Sequence, residues 1–235
     1  MTTPAKPAAA SGASMLLRNP AFPAVTAQWL QPGFWGEQAR PVAVGGRGGA
    51  WFVHSDAGEF VLRQYLRGGL VARLSRASYL FTGYQRSRAI AEFRLLQRLR
   101  ELDLPVPEPV AALVCRRGLW RYRAAILLRR IAGASPLPEA PGVDDAQLWQ
   151  RTGQMLRAFH DAGLDHVDLN CDNILVADGA LWLIDFDRCR LRPAGREDTA
   201  WKRRNLARLR RSVSKRCQGV AWPVLWASLL EGYRR

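Results

Sequence analysis

The chain has 235 residues, 48% of them hydrophobic, so it is long and apolar enough to fold around a core rather than remain disordered. Its 35 Lys and Arg against 20 Asp and Glu give a net charge of +15, which predicts a negatively charged partner: nucleic acid, an anionic membrane surface or a phosphorylated substrate. No apolar run reaches the roughly 18 residues of a membrane span, and no secretory signal is recognised, so a cytoplasmic protein is expected. The four cysteines lack the spacing of a zinc site or a disulfide framework, so free thiols are expected.

The N-terminal half predicts a small, mostly β lobe. Residues 1–15 are rich in alanine and proline and are expected to form a disordered tail. Further on, strands are predicted over residues 51–54 and 60–65, joined by a tight turn at 56–58. A glycine-rich loop precedes this hairpin and can let backbone amides approach phosphates, at Gly45, Gly46, Gly48 and Gly49.

One long helix and a second strand pair complete this lobe. The helix is expected over residues 89–102, because apolar residues recur there at helical spacing and the prolines of LPVPEPVA end it. Strands are predicted around 111–115 and 122–128. A linker rich in Gly and Pro, residues 133–142, then marks the lobe boundary.

The C-terminal half predicts a mainly helical lobe. Its expected elements, in chain order, are a helix over 145–162 capped by Asp144, short strands over 174–176 and 181–186, and two basic helices from about Trp201, the second beginning at Pro223. The fold class is therefore α+β, with an N-lobe of residues 16–132 and a C-lobe of residues 133–235.

A polar segment, HVDLNCDNIL at residues 166–175, interrupts the apolar elements of the C-lobe. It carries Asp168 and Asn173, and Asp185 follows on the apolar strand LWLI. Phosphoryl transfer from ATP needs such a set, because one carboxylate accepts the attacking hydroxyl's proton while an amide and a second carboxylate hold Mg²⁺. The order HxDxxxxN, then an apolar residue, Asp and Phe, is the signature of a protein-kinase-like fold. We therefore predict Asp168 as general base and Asn173 and Asp185 as Mg²⁺ ligands, with His166 ordering the loop.

Protein kinases also pair a strand lysine with a helix glutamate, but this chain has no lysine between Lys6 and Lys202. Arg63, in FVLRQY, occupies the expected place, and Glu92 of the predicted helix can turn inward. A guanidinium can hold phosphate oxygens bidentately, so Arg63 and Glu92 are predicted to form a phosphate clamp. The alternative is an exposed strand arginine beside a solvated helix glutamate.

Three segments resemble the 3-deoxy-D-manno-octulosonic acid (Kdo) kinases of Gram-negative lipopolysaccharide assembly: YLRGGLVARLSRASYLFTGYQRSRAIAEFRLLQRLRELDLPVPEPVAA, FHDAGLDHVDLNCDNIL and WLIDFDRCRLR. The resemblance covers nearly the whole chain beyond the tail. It implies a two-lobed protein-kinase-like fold and ATP-dependent phosphorylation of the 4-hydroxyl of Kdo on a lipid A precursor, at the cytoplasmic face of the inner membrane. It gives Asp168, Asn173, Asp185, Arg63 and Glu92 the roles named above.

Two features favour a lipid-borne acceptor. No APE-type segment follows Asp185, so the chain does not predict a platform for a protein substrate. Many arginines can pair with the Kdo carboxylate, lipid phosphates and anionic headgroups: Arg67, Arg73, Arg76, Arg86, Arg88, Arg203, Arg204, Arg208, Arg210, Arg211 and Arg216. Aromatic residues expected at the membrane interface are Tyr79, Phe81, Tyr84, Trp222 and Trp226.

Two alternatives remain open. A kinase of heptose or another small molecule would use the same catalytic residues. A basic nucleic-acid-binding protein would explain the charge, but the chain has no zinc-finger, RNP-type or helix-turn-helix signal, and Asp168, Asn173 and Asp185 would have no role. No nucleic-acid partner is therefore expected.

Overall fold

The computed structural model describes residues 13–42, 49–65, 79–193 and 199–235. Two compact units make up the chain, Met1–Ala91 with Val110–Leu128 and Glu92–Pro109 with Arg129–Arg235, called here the N-unit and the C-unit. Several predicted ligand-binding positions lie outside the described residues, namely Gly45, Gly46, Gly48, Arg67, Arg73 and Arg76.

The N-unit is built on a mainly antiparallel sheet, with seven strands among the described residues. Six of them follow the spatial order β1-β6-β7-β4-β3-β2, and β5 pairs with β7. The strands are β1 Ser14–Arg18, β2 Ala39–Pro41, β3 Ala50–Ser55, β4 Gly58–Gln64, β5 Tyr79–Leu80, β6 Pro109–Arg117 and β7 Arg121–Arg129. Both predicted strand pairs of the N-lobe are present, with ends that differ from the predicted ends by one or two residues.

The first strand begins inside the segment that the composition predicts as a disordered tail. Ser14 and Met15 belong to β1, which pairs antiparallel with β6 from Ser14 opposite Cys115 to Arg18 opposite Ala111. Residues 1–12 lie outside the described part of the chain. The edge of β6 offers backbone donors and acceptors that need partners, and β1 supplies them.

The core of the N-unit lies between the sheet and the segment that follows β1. This segment includes a short helix, α1 Pro32–Trp35, and contributes Trp35, whose Nε1 donates to the Trp29 carbonyl at 2.8 Å. The core residues are Phe22, Val25, Leu30, Trp35, Val53, Phe60, Leu62, Val110, Ala111, Leu113, Ala125 and Leu127.

The long predicted helix is α2, Arg88–Glu101, and residues 92–101 of it belong to the C-unit. The segment after it is tied to the C-unit: the Leu183 N–H donates to the Pro105 carbonyl at 3.0 Å, and Arg129 Nε donates to Glu108 at 2.8 Å. These bonds explain why residues 92–109 group with the C-unit, whereas the linker composition places the whole helix in the N-lobe.

Three further helices dominate the C-unit: α3 Ala146–Asp161, α4 Ala200–Arg216 and α5 Trp222–Arg234. Its strands are short: β8 Ser135–Pro136, β9 Leu164–Asp165, β10 Ile174–Ala177, β11 Ala180–Leu183 and β12 Arg190–Leu191. The mainly helical character predicted for the C-terminal half is present in these elements. Within the described residues, no helix has the length and apolar character needed to cross a bilayer.

Two local predictions in the C-unit are wrong. The cap of α3 is Asp145 rather than Asp144, because Asp145 Oδ1 accepts the Gln147 N–H at 2.9 Å and the helix begins at Ala146. Trp226, predicted at a membrane interface, is 8% exposed and is a core residue of the C-unit. The apolar pattern of α5 carries Trp226 inward together with Leu225 and Leu229.

Helices α3 and α5 approach each other closely because glycine stands at their contact. A Cβ built on Gly153 would lie 2.7 Å from the Tyr233 nitrogen and would overlap the Leu229 carbonyl oxygen. A Cβ on Gly232 would overlap the Gln150 carbonyl. Backbone atoms cannot rotate away as side-chain ends can, so the two helices would have to separate.

We predict that Gly153→Ala lowers the free energy of unfolding by about 1–3 kcal/mol, the usual cost of overpacking a core. The measurement is urea denaturation followed by circular dichroism. Gly219→Ala is the matched control, since a Cβ there meets no atom within 4 Å. Equal stability of the two variants would contradict the packing described for α3 and α5.

Candidate active site

The segment HVDLNCDNIL follows β9 and ends within β10 of the C-unit, and we call its residues 166–173 the catalytic loop. It contains one turn of 3-10 helix, Cys171–Asn173, which Asn170 caps by accepting the Asn173 N–H at 3.0 Å. The apolar side chains of Leu169 and Ile174 are buried and anchor this polar segment in the core. Local sequence therefore determines much of the conformation of the loop.

Two asparagine side chains hold the backbone at Asp168. Asn170 Nδ2 and Asn173 Nδ2 each donate to the Asp168 carbonyl at 3.1 Å. The Asp168 carboxylate is 62% exposed, as a group that meets a substrate must be. Because the amide nitrogen of Asn173 is used in this bond, its Oδ1 is the atom with which this residue can coordinate a cation.

Asp185 is tied to the catalytic loop through its neighbour Ile184. The Ile184 N–H donates to the Asn173 carbonyl at 2.9 Å, and the Ile184 carbonyl lies 3.0 Å from His166 Nε2. Asp185 itself has a φ of 63°, in the left-handed region that costs an L-residue about 1 kcal/mol. One hydrogen-bonded network thus joins the backbone of the loop that carries Asp168 and Asn173 to Ile184, the residue before Asp185.

His166 links the two segments of this network. It is 1% exposed and its ring packs edge-on against Phe186, with 5.4 Å between ring centroids. A carbonyl only accepts, so Nε2 carries the proton in the bond to Ile184. Burial lowers the pKa of His166 and favours this neutral form.

Asp165, immediately before the loop, is a buried carboxylate that the motif does not reveal. Arg192 donates to its Oδ2 through Nη2 at 2.6 Å and Nε at 3.0 Å, and Asn205 Nδ2 donates to its Oδ1 at 3.2 Å. Burial by itself raises the pKa of Asp165, but these hydrogen bonds outweigh it and hold the pKa below its usual range. The start of the catalytic loop is therefore fixed by an ionised, hydrogen-bonded carboxylate.

Helix α4 contacts the catalytic loop along one face. Asn205 Oδ1 accepts the His166 N–H at 3.1 Å, and Ser212 Oγ accepts the Cys171 N–H at 2.9 Å. Between them, Arg208 Nη1 lies 3.7 Å from Asp168 Oδ1.

At the end of α4, Arg216 Nε donates to Asp172 Oδ1 at 3.0 Å, and its Nη2 donates to Glu139 at 2.8 Å. Residues 205, 208, 212 and 216 recur at helical spacing and so share one face. From the sequence, Arg208 and Arg216 are expected to contact lipid or sugar groups, whereas Asn205 and Ser212 are not predicted to have a role. The signal was present as polar residues at this spacing in a basic helix.

Two of the chain's four thiols, those of Cys171 in the loop and Cys217 after α4, are hydrogen-bonded to each other. All four cysteines are free. The hydrogen bond lowers the pKa of Cys171 to about 7 and raises that of Cys217. Cys189 behaves differently, since burial raises its pKa to about 12, with a smaller contribution from the Glu92 carboxylate.

The two residues of the predicted phosphate clamp belong to different units, Arg63 to the N-unit and Glu92 to the C-unit. In the N-unit, Arg63 lies on β4 with its guanidinium 5.5 Å from the centre of the Tyr65 ring, and Arg88 lies 5.4 Å from the same ring. The carbonyl of Gly49 accepts the Gln64 N–H at 2.6 Å. In the C-unit, Glu92 is 2% exposed. The pairing of Arg63 with Glu92 stays a prediction.

Solved structures with related folds are protein-kinase-like. WaaP in complex with acyl carrier protein matches with a TM-score of 0.57 at 17% identity, covering 94% of this chain and 89% of that chain. An aminoglycoside-3'-phosphotransferase of type VIII matches with a TM-score of 0.55 at 18% identity, covering 83% of this chain and 86% of that chain. These likenesses concern the fold, and they confirm the predicted protein-kinase-like α+β class.

Sequence relatives are far more similar. The 3-deoxy-D-manno-octulosonic acid kinase of Stenotrophomonas maltophilia (strain K279a) is 52% identical over 189 residues, which cover 79% of this chain and 74% of that protein. The protein of the same name from Xanthomonas axonopodis pv. citri (strain 306) is 53% identical over 192 residues, covering 80% and 75%. The family model described as Lipopolysaccharide kinase (Kdo/WaaP) family matches residues 33–233. The resemblance seen in the sequence is thus confirmed, and the chain belongs to the lipopolysaccharide kinase (Kdo/WaaP) family.

Proposed function

We propose that the protein is an ATP-dependent kinase that phosphorylates the 4-hydroxyl of a Kdo sugar on a lipid A precursor, during assembly of the lipopolysaccharide inner core. Membership of a kinase family implies ATP as the phosphoryl donor. One observation carries the proposal: the network that joins the loop of Asp168 and Asn173 to the residue before Asp185 occurs in a chain about half identical to proteins named Kdo kinases. The same identity favours a Kdo acceptor over the heptose and nucleic-acid alternatives.

In this proposal Asp168 is the general base. Its exposed carboxylate accepts the proton of the sugar hydroxyl while the hydroxyl oxygen bonds to the γ-phosphorus and ADP leaves. The backbone of Asp168 is held by Asn170 and Asn173, so the carboxylate turns about its own side-chain bonds rather than moving with the loop. Such preorganisation is what a phosphoryl-transfer site needs from the protein.

The residues at this site fit a magnesium ion. Asn173 Oδ1 and the Asp185 carboxylate are hard oxygen donors, and Mg²⁺ in nucleotide sites takes few protein ligands besides water and phosphate oxygens. When bound, Mg²⁺ would neutralise charge on the phosphates of ATP. The chain's own contribution is to hold the donors, through the bonds of Ile184 to Asn173 and His166.

Arg208 is the arginine that the structure sets beside the proposed base, and we assign it to the acceptor's carboxylate. Its guanidinium is 3.7 Å from Asp168, too far for a strong hydrogen bond, and its side chain is 48% exposed. In a 3-deoxy-2-ulosonic acid, one deoxygenated ring carbon separates the carbon bearing the carboxylate from the carbon bearing the 4-hydroxyl. A hydroxyl at Asp168 therefore brings the carboxylate within reach of Arg208, where a bidentate pair can form.

We also propose a peripheral location at the cytoplasmic face of the inner membrane. The outward face of α4 carries the exposed side chains of Arg203, Arg204, Arg210 and Arg211. Basic residues near an anionic bilayer each contribute about 1 kcal/mol to binding. A lipid-borne acceptor would then be met at the surface in which it resides.

The test of the proposed function is transfer from ATP to a Kdo-lipid A precursor, with mass spectrometry of the product. We predict that Asp168→Ala lowers kcat by about 10²- to 10⁴-fold, the usual contribution of a general base. Asp185→Ala should abolish the Mg²⁺-dependent part of ADP binding in calorimetry. The control is Asp144→Ala, an exposed aspartate that does not cap α3. Full activity in Asp168→Ala would exclude it as the base.

A second prediction concerns the support that α4 gives the loop. Ser212→Ala leaves the Cys171 N–H without its acceptor, and we expect kcat to fall about tenfold with little change in the KM for ATP. Ser212→Thr keeps a hydroxyl and should restore most of the rate. Ser214→Ala is the matched control, because Ser214 Oγ donates to the Arg211 carbonyl of its own helix at 3.0 Å. A variant that loses stability but keeps its full kcat would argue for a purely structural hydroxyl.

A third prediction tests Arg208 with two acceptors, one with the natural carboxylate and one with a carboxamide in its place. We expect Arg208→Ala to lower kcat/KM about 10- to 100-fold for the acid and much less for the amide, since a charge-assisted hydrogen bond is lost only with the acid. Arg100→Ala, an exposed arginine of α2 with no proposed role in binding, is the control. Equal losses on both acceptors would assign Arg208 to the transferred phosphoryl group instead.

A further inference from the structure

An exposed apolar tip stands at the end of the β6–β7 hairpin in the N-unit. The turn between these strands consists of Gly118, Leu119 and Trp120. Leu119 and Trp120 are each 70% exposed, and Leu80 of β5, which pairs with β7, is 61% exposed. Turns usually carry small or polar residues, so neighbouring exposed Leu and Trp side chains require a reason other than folding.

The backbone of this tip is held in place by three hydrogen bonds. The Phe81 N–H donates to the Trp120 carbonyl at 2.9 Å. Arg116 donates to the Gly118 carbonyl through Nε at 3.0 Å and to the Leu119 carbonyl through Nη2 at 3.3 Å. The apolar side chains are therefore presented by an ordered turn, which lowers the entropy cost of binding through them.

Positive charge surrounds the tip. Four arginines lie within eight residues, at positions 116, 117, 121 and 123, and no acidic residue occurs between Glu108 and Glu139. The side chains of Arg117, Arg121 and Arg123 are exposed. Exposed leucine and tryptophan flanked in sequence by arginines match a bilayer boundary, where apolar groups enter the acyl region and arginines stay among anionic headgroups.

We infer, building on the membrane location proposed above, that the tip of the β6–β7 hairpin inserts into the surface of an anionic lipid bilayer and anchors the protein there. The small area of the tip favours a lipid bilayer over a protein as its partner. A stable protein interface needs about 800 Å² from each partner, which the three side chains of Leu80, Leu119 and Trp120 do not supply on their own. Shallow insertion of a Trp and two Leu side chains needs no such area, and the arginines add the attraction to anionic lipid.

The experiment is co-sedimentation of the full chain with vesicles of phosphatidylcholine alone or with added phosphatidylglycerol. Wild-type protein should bind the anionic vesicles, and added salt should weaken the binding. Trp120→Ala should lower the partition coefficient about tenfold, and Arg117→Ala with Arg121→Ala about 25-fold, from about fivefold for each arginine. Phe34→Ala is the matched control, because Phe34 is also an exposed aromatic residue of the N-unit, at 49%; it should bind as the wild type does.

Several outcomes would overturn the inference. They are failure of the wild-type protein to sediment with any vesicle, equal binding with and without anionic lipid, and Trp120→Ala binding as strong as that of the wild type. Absence of vesicle binding by the wild type would favour a protein as the partner of the tip. The experiments distinguish failure of the membrane inference from failure of the proposed reaction. If the wild type binds vesicles through Trp120 but phosphorylates no Kdo acceptor, the proposed reaction is wrong and the membrane inference is supported. A water-soluble acceptor should be phosphorylated equally by wild type and Trp120→Ala.

Discussion

The conformation of the catalytic loop depends on hydrogen bonds to its backbone. Residues 166–173 contain one turn of 3-10 helix, so most of their N–H and C=O groups cannot be satisfied by regular structure. Within the loop, the side chains of Asn170 and Asn173 donate to the Asp168 carbonyl. From α4, the side chains of Asn205 and Ser212 accept the backbone N–H groups of His166 and Cys171. The position of Asp168 in space follows from these bonds, and with it any chemistry that its carboxylate performs.

How much of this could be predicted from the sequence depends on the distance along the chain between interacting residues. The order His166, Asp168, Asn173 and Asp185 revealed the loop because the motif is local and its polar residues contrast with apolar neighbours. The contacts from α4 join residues about 40 positions apart, as in the bond from Cys171 to Ser212. An arginine-rich helix looks solvated on every face until its partner is known, which is why Asn205 and Ser212 were missed.

The ends of elements illustrate the same limit. Strand β1 has the short sequence SMLLR beside a segment rich in alanine and proline, and its extended conformation is supported by pairing with β6. Whether a short segment forms a strand depends on the strand it pairs with as well as on its own residues. The sequence predicts Asp144 as the cap of α3, but its neighbour Asp145 is the cap, because the Asp145 carboxylate accepts the Gln147 N–H. Strand β1 thus depends on a partner distant in sequence, whereas the cap of α3 depends on which carboxylate reaches an N–H two residues away.

The abundance of arginine over lysine has a structural reason that net charge conceals. Several guanidinium groups cap carbonyls of turns and loops: Arg18 at Pro23 and Val25, Arg116 at Gly118 and Leu119, and Arg151 at Gly179. Two others hold carboxylates at the catalytic loop: Arg192 binds Asp165 just before it, and Arg216 binds Asp172 within it. A planar group with five donors can serve two acceptors at once, which a single ammonium does less well. Part of the +15 charge therefore stabilises the fold, and exposed arginines such as those of α4 and of the strands beside the β6–β7 turn remain available to anionic ligands.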